Sequence, residues 1–293
     1  MYEKILVPLD GSRLAETALP YAEELAGAFN SEVILIGICE PAESQYLHMC
    51  QLYIEKMAEL VRSHIKGETR IKVKSVSLVG EPAQEIINYA EENNISLTIM
   101  TTHARSGIML WVMGSITDRV LPRINMSVLL IRAEAPSLKV GGEMFNKILV
   151  PLDGSEAGKV ALPYVRELSK KLKSEVILLQ VVAPGQHVHT VGGLDYVLFA
   201  DQQVESMKAQ AKQYLEKVSR ELTGTTIRSE VRVGDASREI IKFTDETNIS
   251  LVAISTHGHS GIRQWIFGNV THKILQTSNT PVLLVKAPEV KMD

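Results

Sequence analysis

The chain has 293 residues with a formal net charge of −3 at pH 7, and its sequence pI lies near 6.3. That balance presents no basic field, which excludes nucleic acid as a partner on electrostatic grounds. No apolar run approaches the roughly 18 residues a membrane span needs, and Cys39 and Cys50, the only cysteines, build no disulfide framework. The opening MYEKILVPLDGS carries charge and proline too early for the apolar core of a signal peptide, so the expected compartment is the cytoplasm.

The first half alternates two periodicities. Strand patterns at KILVPL, SEVILIGIC, IKVKSVSLV, LTIMTT and SVLLIR are separated by helical ones at SRLAETALPYAEELAGAF, from Leu47 to Lys66, at PAQEIINYAEENN and at GSITDRVLPRI. Such alternation predicts an α/β fold, with a five-stranded parallel sheet carrying helices on both faces. Ser12, just ahead of the first helical pattern, is its expected N-cap.

The chain then repeats itself. KILVPLDGS recurs at Lys147 to Ser155, an offset of 143 from Lys4 (147 against 4). By Val233, the counterpart of Val79, the offset is 154 (233 against 79), so the second copy holds 11 extra residues, expected near GQHVHTVGGLDY. A repeat this long is a duplicated domain rather than a solenoid unit. We expect domains at 1–133 and 145–288, joined by a linker over 134–144 that contains Pro136 and the Gly141-Gly142 pair. SVLLIR and its counterpart PVLLVK are short and apolar, and an exposed edge strand of that kind needs cover. The two halves are therefore expected to pack about a pseudo-twofold axis through these strands.

The most informative stretch runs from Leu251 to Thr271, LVAISTHGHSGIRQWIFGNVT, and is matched by Leu97 to Thr117. A buried strand, a glycine-containing loop and a helix start form an arrangement suited to a phosphate. Glycine lets the backbone approach, and free N–H groups at the helix N-terminus face the anion. The spacing is neither Walker A nor GxGxxG.

In this order, KILVPLDGS, the VG pair and THGxSG resemble the universal stress protein family, twice over nearly the whole chain. The resemblance implies two Rossmann-like domains of adenine nucleotide alpha-hydrolase type. It also implies an intramolecular pseudo-dimer, compatible with a homodimer of chains, and in one branch ATP bound through a G-x-x-G-x9-G-[S/T] pattern. Neither half matches that pattern fully. The second half offers Ser255, Gly258, Gly268 and Asn269 at these positions, and the first offers Thr101, Ala104, Gly114 and Ser115. The second half is the better candidate, because a Cβ at Ala104 obstructs close approach of a phosphate.

The resemblance also implies the remaining contacts. In the second half Pro151 and Asp153 border the adenosine, Val181 meets the adenine edge and Gly234 sits beside the nucleoside. Ser255, His257, Gly258, Gly268, Asn269, Val270 and Thr271 surround the phosphates. The weaker first-half set is Pro8, Asp10, Ile38, Gly80, Thr101, Gly114, Ser115, Ile116 and Thr117. The implied cofactor is ATP or another adenine nucleotide, accompanied by Mg²⁺ or Mn²⁺ on its phosphates, and the implied role is a stress-response switch or scaffold acting on an unidentified signalling partner.

The residues also admit plainer roles. Asp10 and Asp153 suit turn formation before Gly and Ser. His187 with His189, and His257 with His259, lack the carboxylate or thiolate company of a metal site. No nucleophile and base stand at a recognisable spacing, so no catalytic residue is assigned and any ATP hydrolysis is expected to be slow. Two rival readings are a nucleotide-free interaction module of the same fold and an ATP-pyrophosphatase-type ligase. The ligase is disfavoured because LDGS stands where an SGGxDS-like loop would be.

Overall fold

The computed structural model describes residues 1–40, 45–64, 71–102, 115–132, 144–183, 195–256 and 267–286. The first half comprises β1 (Lys4–Pro8), α1 (Arg13–Glu16), α2 (Leu19–Phe29), β2 (Glu32–Cys39), α3 (Leu47–His64), β3 (Val73–Val79), α4 (Pro82–Glu92), β4 (Leu97–Thr102), α5 (Ser115–Val120) and β5 (Ser127–Arg132). The second comprises β6 (Lys147–Pro151), a 3₁₀ turn (Ala157–Ala161), α6 (Leu162–Leu172), β7 (Glu175–Val182), α7 (Asp195–Glu221), β8 (Thr226–Val233), α8 (Ala236–Thr247), β9 (Leu251–Thr256), α9 (Asn269–Thr277) and β10 (Val282–Lys286).

Two expectations need correction. The first helical pattern is not one helix: α1 closes at Thr17 and α2 restarts with Pro20 in its first turn. Proline is accepted there because the N–H it lacks has no helical partner at that position, whereas deeper in a helix it would break a bond. The insertion of the second half is also not confined to a loop. Helix α7 has 27 residues against 18 in α3, so much of the extra chain lengthens a helix.

The ten strands among the described residues form one sheet in the order β3-β2-β1-β4-β5-β10-β9-β6-β7-β8. Every pairing is parallel except β5 with β10, where Leu129 stands opposite Leu283. The central strands are buried on both faces, as parallel strands covered by helices must be. Packed on one face are α2, α3, α6 and α7; on the other are α4, α5, α8 and α9.

The seam carries the pseudo-twofold axis expected from the last strands. Tyr2 packs edge-on against Tyr164 at 6.2 Å, and its symmetry mate, Tyr21 against Phe145, does so at 5.8 Å. Arg132 of β5 donates to Asn279 Oδ1, and its counterpart Lys286 of β10 donates to Asn125 Oδ1 at 2.6 Å. A cavity of only about 10 Å³ sits between Tyr2, Leu25, Leu129 and their repeat mates Phe145, Leu168 and Leu283. Both apolar last strands are thereby paired, which removes two edges. The outer edges differ in character: β8 presents Arg228, Glu230 and Arg232, the charged dressing that discourages strand addition.

Candidate functional site

In each half the strand order reverses between the first and fourth strands, β1 and β4 or β6 and β9. Open α/β sheets bind ligands at the carboxyl edge beside such a reversal, and the candidate residues gather along that edge. In the second half Ser255 ends β9, Pro151 and Asp153 end β6, Val181 lies near the end of β7, and Gly234 follows β8. Four neighbouring strands at about 4.8 Å spacing make this row about 14 Å wide, so its members line one edge without converging on one atom. The first half repeats the row with Thr101, Pro8, Asp10, Ile38 and Gly80.

The turn after the first strand is built alike in both halves. Gly11 and Gly154 take φ of +83° and +88°, a region favouring glycine. Asp10 Oδ1 accepts from Ser12 N at 2.9 Å, and Ser12 Oγ caps α1 by accepting from Ala15 N at 3.1 Å. Asp153 Oδ1 accepts from both Ser155 N at 2.9 Å and Ser155 Oγ at 2.6 Å, while Ser155 Oγ accepts from Gly158 N. Both aspartates are therefore turn formers, and both remain exposed at the edge.

Other candidate positions have local causes of their own. Gly234 has φ +148°, and a Cβ there would stand 3.1 Å from Glu239 Cγ; at Gly80 it would stand 2.6 Å from Glu85 Cγ. Each glycine gives room to a glutamate on the helix that follows. Ser255 is buried and paired with Val285, and Thr101 is paired with Ile131, so both belong to the strand ladder rather than to the loop. Ile38 and Val181 pack against the core on the α4 and α8 side, as does Ile116.

The start of α9 is the most ligand-ready feature. Gly268 is its N-cap with φ −62° and ψ 158°; among the described residues no side chain caps the helix and nothing lies within 4 Å of where a Cβ would be. Uncapped helical N–H groups carry partial positive charge toward the carboxyl edge. Asn269 and Val270 are exposed there, whereas the Thr271 side chain is buried. The first half shows the same contrast between exposed Ser115 and buried Thr117.

Sequence reasoning did not anticipate a charged pair beside each helix start. Glu81 caps α4 by accepting from Ala83 N and Gln84 N, and meets Arg119 Nη2 of α5 at 2.9 Å. Asp235 caps α8 through Arg238 N and lies 3.8 Å from Lys273 Nζ of α9. At Glu81 desolvation pushes the carboxyl up, but the Gln84 and Ala83 N–H groups with Arg119 outweigh it and hold it below the ordinary range. Ser237, then the Arg238 N–H and Lys273, hold Asp235 low as well. The signal was an acidic residue ahead of a helix and a basic one four residues into another; their meeting depends on tertiary packing.

Gly114, His257 and Gly258 lie outside the described residues, as do His103, Ala104, both tryptophans, both HxH pairs and linker residues 134–143. Among the described residues, no group of three or more His, Cys, Asp or Glu could hold a metal ion, and no helix is long and apolar enough to cross a membrane.

The model of the universal stress protein family matches residues 1–132 and again 144–286. Universal stress protein YxiE of Bacillus subtilis is 30% identical over 148 residues, covering 49% of this chain and 100% of that protein. Universal stress protein MJ0577 of Methanocaldococcus jannaschii is 28% identical over 155 residues, covering 49% and 96%. The crystal structure of a universal stress protein from Archaeoglobus fulgidus covers 98% of this chain and 99% of its own, with a TM-score of 0.69 at 19% identity, a likeness of fold. Single-domain relatives fit half of the chain and the duplicated structure fits all of it: the chain belongs to the universal stress protein family and carries its domain twice.

Proposed function

We propose that this universal stress protein binds an adenine nucleotide in its second half and acts as a nucleotide-dependent switch or scaffold, with at most slow hydrolysis. The observation that carries the reading is the uncapped start of α9, opened by Gly268 at the carboxyl edge where the strand order reverses. Phosphates would meet the N–H groups of Asn269, Val270 and Thr271, and the nucleoside would lie along Asp153, Val181 and Gly234. ATP is the nucleotide we favour. Mg²⁺ or Mn²⁺ would arrive on the phosphate oxygens, a mode that asks few ligands of the protein.

The test is calorimetric titration of the full chain with Mg-ATP, beside the variant Gly268→Val. A Cβ at 268 meets no atom of the described residues within 4 Å and the backbone there is extended, so the variant should fold as the parent does. It should lose at least about 10-fold in affinity, or about 1.4 kcal/mol. Saturable binding at about one nucleotide per chain supports a second-half site. Binding of neither Mg-ATP nor Mg-ADP or AMP would leave the sheet as an interaction module alone.

A further inference from the structure

The only two cysteines of the chain, 11 positions apart in sequence (50 against 39), lie near one another in the first half. Cys39 ends β2 and is buried, while Cys50 lies in the first turns of α3 and is half-buried. Cys50 Sγ lies over Gly37, whose ladder partner is Ser77 of β3 and whose next neighbour on the same face of β2 is Cys39. Gly37 makes the approach possible: a Cβ at that position would stand 2.7 Å from Cys50 Sγ and from Ile54 Cγ1. Residues 37 and 39 share one face of β2, as alternate strand positions must. The repeat mates of Gly37 and Cys39 are Gln180 and Val182, so this arrangement belongs to the first half alone.

An approach for a small oxidant lies alongside. A cavity of about 190 Å³ between α3 and β3 is lined by Leu47, Gln51, Glu55, Ser75 and Ser77, and Ser77 is paired with the Gly37 that Cys50 covers. Its lining is largely polar, so it admits water and water-sized solutes.

We propose that Cys39 and Cys50 form a modification site, closed to an intramolecular disulfide by a hydroperoxide and reopened by a low-molecular-weight thiol. Cys50, the more exposed of the two, attacks the peroxide as its thiolate. The O–O bond breaks, one oxygen stays on sulfur as a sulfenic acid, and the other leaves as hydroxide or alkoxide and takes up a proton. Cys39 then attacks the sulfenic sulfur, and the S–O bond breaks. The hydroxide departs as water with the Cys39 proton, and the S–S bond forms. The pair loses two electrons and two protons, and the peroxide accepts both.

Burial is the main cause raising the Cys50 thiol above its ordinary range, with the Cys39 contact adding to it. The thiolate is the reactive form, so the reaction should be slow at neutral pH and faster as pH rises toward 9. The same character makes the Cys50 sulfur a poor leaving group. Closure would tie the start of α3 to the end of β2, next to Ile38 on the carboxyl edge.

The full chain is reduced, treated with hydrogen peroxide, unfolded in denaturant, alkylated with iodoacetamide and weighed intact. The expected product gains neither alkyl group, yields a tryptic peptide joining Cys39 to Cys50, and regains both alkylation sites after dithiothreitol. Cys50→Ser should yield no such peptide and leave Cys39 alkylatable. Two alkyl groups after peroxide, a disulfide between chains, or a sulfinic acid that dithiothreitol does not reverse would each overturn the proposal.

Discussion

The two halves share a backbone plan and differ at its carboxyl edge. Both make the Asp-Gly-Ser turn with glycine φ near +85°, and both place an acidic helix cap against a basic side chain. Beyond that they part. At the same strand position the second half has Gln180, whose Nε2 approaches the Gly154 turn, where the first has Gly37 with Cys50 drawn over it. The second half's α7 is 27 residues long against 18 for α3. Duplication preserved the parts that hold the sheet together, and divergence collected where the sheet meets solvent. Packing constrains every buried strand residue from two sides, while an edge residue answers to few neighbours.

Four measurements would break or sharpen this comparison. The seam should respond most strongly. Leu283→Ala and Leu129→Ala remove facing buried side chains, and each should cost about 2–5 kcal/mol in denaturant unfolding. Because the two residues share neighbours, the double variant should not be additive; full additivity would mean that the halves unfold independently. Next, Gly268→Val should abolish most nucleotide affinity, whereas Ser115→Val at the first-half helix start should leave the stoichiometry at about one; equal losses would make the halves equivalent.

A smaller effect is expected at the glycines after the third strands. Gly234→Ala forces a side chain into φ +148° and should cost about 1–3 kcal/mol. Gly80→Ala, whose contact is a glutamate that can move aside, should cost less; the reverse ranking would refute the strain argument. The smallest effect is electrostatic. Asp235 and Glu81 have folded pKa values held low, so their stabilisation is present above the ordinary carboxylate range near pH 4 and fades as pH falls through the lowered values. Thermal melts of Asp235→Asn between pH 6 and 3 should show a flatter acid limb than the parent, and an unchanged limb would remove this cap from the acid response.

Much of the frame was legible because it rests on local periodicity. The patterns LTIMTT and SVLLIR coincide with β4 and β5 residue for residue, and Ser12 caps α1 as its position suggested. The repeat, read at two offsets, announced the duplication and the role of the last strands. The break between α1 and α2 was misread because helical periodicity runs through Thr17 and Ala18, and only Pro20 marks the restart. At the candidate site the row of strand ends could be named in advance. That Thr117 and Thr271 turn inward, and that Gly80 and Gly234 make room for glutamates, could not.

The sequence by itself determined which segments become strands and helices, and that the set occurs twice, since alternation, capping and glycine placement act over a few residues. The tertiary structure alone decided what lies across the sheet and the seam: Tyr2 on Tyr164, Arg132 on Asn279, Arg119 on Glu81 and Cys50 over Gly37. Such contacts depend on strand order, on the register of β5 with β10 and on the axis that register creates. Register is a property of two segments at once, and no single stretch of chain contains it.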